Sequence, residues 1–150
     1  MACNKKQLKL CGNKECKICF DRSFASYDGK TKNGKLKVDC WDYEKNDNVK
    51  PWEVRKGNNN KHWFQCDVCN HLIDVRLNDI IRQTRQWCKY CCYNPRLCDN
   101  NNCNFCYNNS FASYQETTVN GKLIIDCWAK NKNNNIIPRK ITICSGDKYW

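Results

Sequence analysis

Fifteen cysteines in 150 residues, most of them in Cys-x2-Cys pairs, and a pattern that returns after 87 residues predict the fold class. It is small and metal-stabilised, β-rich with short helices, built from tandem zinc-ribbon and zinc-knuckle modules. Such cysteine density implies either a disulfide scaffold or metal sites. The odd count and the x2 spacing favour metal. Residues 1–10 contain no apolar run long enough for a signal peptide. No later stretch approaches the roughly eighteen apolar residues of a membrane span. The expected setting is a reducing intracellular compartment or a virion, not the secretory route and not a membrane.

The strongest motif is Cys66-Asp67-Val68-Cys69, then eighteen residues, then Cys88-Lys89-Tyr90-Cys91. A Cys-x2-Cys turn folds back so that both sulfurs face one ion, and two such turns supply a tetrahedron of thiolates. Four protein ligands leave no open coordination position, so such a zinc holds structure and activates no water. Disulfides or a redox role are the alternative for these four residues.

Residues 10–63 align with 97–150 without a gap. Ser23-Phe24-Ala25-Ser26-Tyr27 returns as Ser110-Phe111-Ala112-Ser113-Tyr114, Asp39-Cys40-Trp41 as Asp126-Cys127-Trp128, and Trp63 as Trp150. The expected organisation is a tail at 1–9, a full unit at 10–96 and the front part of a second unit at 97–150. The full unit divides into a front cluster at 10–62 and a ribbon at 63–92. Each front part carries the same spacing: Cys11, Cys16, Cys19 and Cys40, then Cys98, Cys103, Cys106 and Cys127. Identical spacing within one chain predicts that each set closes one tetrahedron, which gives three zinc ions in all. Cys40 and Cys127 have a competing reading as small buried residues on strands. Cys3, Cys92 and Cys144 are expected to bind no metal, Cys3 because it lies in a frayed terminus, with Cys92 the alternative should a ligand be substituted.

Turn and pattern signals place the elements. Residues 36–40 and 123–127 follow Asn-Gly turns and read as strands. Ser23 and Ser110 are expected to cap one helical turn that directs Phe24 and Phe111 inward. Residues 51–54 read as an extended lead-in to the ribbon. Residues 62–65 and 71–75 read as a hairpin across the first knuckle, and 78–85 as a short helix capped at Asn78. Trp41, Trp52, Trp63, Trp87 and Trp128 read as core aromatics over the metal. So small a chain lacks buried area for stability, and zinc makes up the shortfall.

Leu10-Cys11-x4-Cys16-Lys17-Ile18-Cys19-Phe20-x2-Ser23-Phe24-Ala25-Ser26, Pro51, Val54, Trp63-Phe64-x-Cys66-x2-Cys69-x-His71 and Trp87-Cys88-x-Tyr90-Cys91 form one constellation. It resembles the probable zinc-ribbon repeat family of proteins from large DNA viruses of amoebae, over nearly the whole chain. In that family Ser-Phe-Ala-Ser is often followed by histidine; Tyr27 and Tyr114 stand there in this chain. If that histidine is a ligand, Cys40 and Cys127 could replace it. The resemblance implies an arrayed zinc-binding module, sometimes found beside nuclease-like domains.

Net charge is +11, which invites a nucleic-acid partner. Twelve metal-bound thiolates and three zinc ions would lower it to about +5. Asn-rich loops beside the lysines suit compositional bias equally well. Arg76, Arg82, Arg85, Lys89 and Arg96 lie in and beside the ribbon as candidate phosphate contacts. Trp87, Tyr90 and Tyr93 are candidate stacking platforms. The alternative is a structural or protein-binding role, in an adaptor or a virion. Catalysis and a small-molecule substrate are not expected. His62 and His71 are the only histidines, and His71 is read either as making a backbone hydrogen bond or as a hairpin residue. No paired carboxylates or phosphate-cradling glycine loop are evident.

Overall fold

The computed structural model describes residues 3–83 and 86–150 and falls into two units, Met1–Cys88 and Lys89–Trp150. Most of the chain is coil and turn, so the β content is lower than the sequence suggests. Among the described residues the one sheet is a two-stranded antiparallel hairpin. Its strands are β1 (Lys61–Gln65) and β2 (Leu72–Arg76), in a register that pairs Trp63 with Asp74 and Phe64 with Ile73. The knuckle residue Asn70 closes the hairpin at positive φ, its N–H donating to Cys66 O at 2.9 Å. Asparagine tolerates that left-handed position better than most side chains. Helices are short: α1 (Lys17–Arg22), α2 (Leu77–Arg82) and α3 (Asn104–Asn108). The sequence-based helix at 78–85 begins one residue earlier, with Arg76 and not Asn78 at its N-cap, and ends on Gln83 in the left-handed region. Its last two expected residues, Thr84 and Arg85, lie outside the described residues.

The predicted strands at 36–40 and 123–127 are instead 3-10 turns, Lys37–Cys40 and Ile124–Cys127. The Asn-Gly turn does form, with Gly34 at φ 82°, but pairing extends only to the Lys30–Leu36 bridge. Beyond it the Asp39 N–H bonds locally to Leu36 O at 3.0 Å, and Cys40 is carried inward. Residues 51–53, expected to be extended, also form a 3-10 turn, with Pro51 at its start. The turn predicted after Ser23 is present at Phe24–Ser26, yet Ser23 makes no side-chain cap. Its hydroxyl donates back to Phe20 O at 2.7 Å and ties off α1 instead.

The core of the first unit is an aromatic cluster under the hairpin. Phe64 sits edge-on to Phe24 at 5.7 Å, to Trp41 at 5.4 Å and to Trp87 at 5.2 Å. Ile73, Leu77 and Ile80 close it from β2 and α2. Strand parity sends Phe64 inward and leaves Trp63 37% exposed, so Trp63 is not the core residue expected.

The second unit repeats many of these bonds 87 residues later. Ser110 Oγ donates to Tyr107 O at 2.7 Å as Ser23 does to Phe20. Trp128 Nε1 donates to Ile136 O at 2.9 Å, and Trp41 Nε1 to Val49 O at 3.0 Å. Asn133 brackets the Trp150 backbone with bonds of 2.8 and 2.9 Å, and Asn46 brackets Trp63 with the same two distances.

Candidate metal centres

The first centre forms where α1 begins. Cys16 and Cys19 flank the first turn of the helix, and Cys11 arrives from the preceding loop. The fourth thiol beside them belongs to Cys3. This corrects two expectations. The N-terminal segment is tied down: Arg22 donates to Gln7 O at 2.5 Å and to Asn4 O at 3.4 Å, and Arg55 donates to Leu8 O at 3.0 Å. Cys40, expected as the closing ligand, is not in the group. Its 3-10 turn buries it in the core, with Sγ facing Leu36 O at 3.8 Å. Burial pushes the Cys40 thiol up to about 11; Lys35 pulls it down, and Asp67, Cys66 and Asp39 add to the rise.

The ribbon centre gathers Cys66, Cys69, Cys88 and Cys91. Cys66 directly follows β1, and its N–H donates to His71 O at 2.9 Å across the knuckle. Cys69 and Cys88 approach to 3.5 Å between sulfurs. Burial pushes the Cys69 thiol strongly upward; the His71 backbone bond opposes this, and the neighbouring Cys88 and Cys66 thiols reinforce it.

In the second unit Cys98, Cys103 and Cys106 lie together at the start of α3, as Cys11, Cys16 and Cys19 do at α1. Cys127, the expected fourth ligand, is not in the group. It is exposed, and its Sγ faces Leu123 O at 3.7 Å, the same turn geometry that removes Cys40. Among the described residues there are three Cys/His tetrads suited to zinc, whose donors are eleven thiols and one imidazole, that of His71. The sequence places His71 on the hairpin or in a backbone hydrogen bond, and not among the ligands. Its carbonyl does take the bond from Cys66, but its side chain also counts among the metal-type donors.

The donor chemistry fits zinc. Tetrahedral Zn–S bonds of about 2.3 Å place sulfurs roughly 3.8 Å apart, and the donor atoms of each tetrad lie within 4.8 Å of one another. None of the fifteen cysteines is joined in a disulfide. Amide donors already point at the sulfurs, as a thiolate requires. Gln7 Nε2 and the Cys11 N–H reach Cys19 Sγ at 3.1 and 3.4 Å, and the Cys98 N–H reaches Cys106 Sγ at 3.3 Å. Without metal, crowding opposes ionisation. At Cys11 the Asn13 backbone bond favours the thiolate, but the Cys19, Cys3 and Cys16 thiols and burial raise it to about 11. Cys106 stands at about 11, raised chiefly by burial and opposed by the Cys98 backbone. A divalent cation removes that repulsion.

Closed cysteine-rich tetrads at short knuckles define a zinc-finger protein. Residues 38–94 match the family described as Probable Treble clef zinc finger domain. The match spans the hairpin, both knuckles and residues 38–40 of the preceding turn; of the donors in the other two tetrads it includes His71 alone. The chain is also 32% identical over 104 residues to an uncharacterized protein of Acanthamoeba polyphaga mimivirus. That alignment covers 69% of this chain and 22% of the viral protein, so the chain spans about a fifth of its relative. No solved structure matches.

One pair of substitutions separates the two assignments at the first centre. Cys3→Ser should lower the zinc content of the purified chain by one ion. Cys40→Ala should keep all the zinc and cost on the order of 1 kcal/mol of stability, as for an ordinary buried residue. Metal analysis alongside thermal melts reads both.

Proposed function

We propose that the chain is a zinc-stapled module that binds nucleic acid and catalyses no reaction. The supporting observation is the run of exposed cations, with one exposed ring, along residues 76–96 of the sequence. Arg76 and Arg82 are exposed on the first unit, Lys89 and Arg96 are exposed on the second, and Tyr93 is 90% exposed. Arginine bridges phosphates in bidentate fashion, and an exposed phenol ring stacks on an unpaired base. Arg85, a fifth candidate, lies outside the described residues. Trp87 is better read as core, since its ring packs against Phe64 under Lys37. Tyr90 is half-buried beneath Lys89 Nζ, 5.1 Å from the ring centroid. Tyr93 is therefore the favoured platform. Four donors from protein leave zinc no position for water, which supports a role without catalysis.

The test is a salt titration of binding to single-stranded DNA and RNA. Four phosphate contacts on a single strand give a slope of about −3 in log affinity against log salt. Replacing Arg76, Arg82, Lys89 and Arg96 with alanine should flatten that slope while zinc content stays unchanged. Absence of binding at low salt would overturn the proposal. A second reading, protein interaction, is supported by an open apolar groove on the second unit. Among the described residues no helix is long and apolar enough to cross a membrane.

A further inference from the structure

The two units share an aromatic cup, filled in one and open in the other. In the first unit Phe24 and Trp41 stand 5.8 Å apart at 40°, and Phe64 of the hairpin fills the space against both. In the second, Phe111 and Trp128 stand 5.9 Å apart at 44°. The flanking rings match as well: Trp41–His62 at 4.9 Å and 29°, Trp128–Tyr149 at 5.1 Å and 32°. The second cup has the shape of the first without its occupant.

Exposure records the difference. Phe24, Cys40 and Trp41 are buried, whereas Phe111 and Trp128 are half-buried and Cys127 is exposed. A cleft of about 320 Å³ remains, lined by Phe111, Ile124, Cys127, Trp128, Ile141 and Trp150 among others. Trp150 is clamped by Asn133 as Trp63 is by Asn46. In the first unit the residue after the clamped tryptophan is Phe64, which bridges Trp41 and enters the cup.

We propose that this groove is a docking site for a zinc-ribbon hairpin of the kind at residues 64–91. The hairpin is held in the register that Trp150 sets, with its leading phenylalanine between Phe111 and Trp128. The molecule itself supplies the reason for this occupant: the same cup, clamp and exit direction receive such a hairpin in the first unit. Neither the groove nor its test depends on nucleic acid.

The test lengthens the full chain by a copy of residues 64–92 placed directly after Trp150. Two readouts are zinc content and the alkylation rate of Cys127, followed by peptide mass. The lengthened chain should carry one more zinc than the original, and labelling of Cys127 should slow by roughly tenfold or more as it becomes as covered as Cys40. A Phe64→Ser change in the appended copy should keep the extra zinc but restore fast labelling. An added hairpin that takes up zinc while Cys127 labels as before would overturn the proposal. So would a concentration-dependent dimer of the original chain that protects Cys127, since the occupant would then be a second copy.

Discussion

Chelating the metal will abolish the far-ultraviolet circular dichroism and the thermal transition together. The cause is the size of the core. In the first unit the fully buried large side chains are Phe24, Phe64, Ile73 and Leu77. In the second unit the one buried apolar side chain among the described residues is Cys106, itself a ligand candidate. A structural zinc contributes on the order of 10–16 kcal/mol in small peptides, against a typical total stability of about 5–15 kcal/mol. Loss of three such ions exceeds anything these aromatics supply. Acid should act as chelator does. At neutral pH the metal-free thiols of Cys11 and Cys106, near 11, hold their protons. Each zinc must expel protons to bind, so affinity falls as pH falls. A pH series of melts on the zinc-loaded chain reads that slope, with stability expected to fall as pH falls.

Cys69→Ser will remove the ribbon zinc and with it the cooperative melt of the first unit. Cys69 is buried, 3.5 Å from Cys88, at the turn that joins β1 to β2. Serine is a poor ligand for zinc and leaves a hydroxyl among apolar neighbours, which alone costs about 1–3 kcal/mol. Without the ion, the knuckle no longer fixes the hairpin register, and Phe64 loses the frame that holds it between Phe24 and Trp87. A two-stranded hairpin has little stability of its own. Zinc content should fall by one, and the fluorescence shift that reports Trp41 and Trp87 burial should disappear at room temperature. A variant that melts within a few degrees of the parent would show the hairpin to be held by packing.

The ribbon was legible because its four ligands sit in two local turns whose spacing carries the geometry. The first centre was legible for Cys11, Cys16 and Cys19 and not for Cys3. A ligand eight residues upstream has no local signature, and what holds it is tertiary: Arg22 and Arg55 on the backbone of residues 4–8. Cys40 and Cys127 were attractive because both copies keep them at identical spacing. That regularity belongs to the shared 3-10 turn and the aromatic cup it builds, not to the metal. The strand reading failed at the same place. An Asn-Gly turn followed by apolar alternation predicts a hairpin, but the local Asp39 to Leu36 bond ends the pairing after one bridge. Trp63 was misplaced because parity on a five-residue strand cannot be assigned until the register is known. The hairpin register, once seen, sends Phe64 inward and settles it.

The metal count of the intact chain tests the central claim most directly. Mass spectrometry under native conditions should give the mass of the polypeptide plus three zinc ions, and denaturation should return the polypeptide with every thiol reduced. A folded chain with no bound metal, or one lighter by the hydrogens lost to disulfides, would contradict the account.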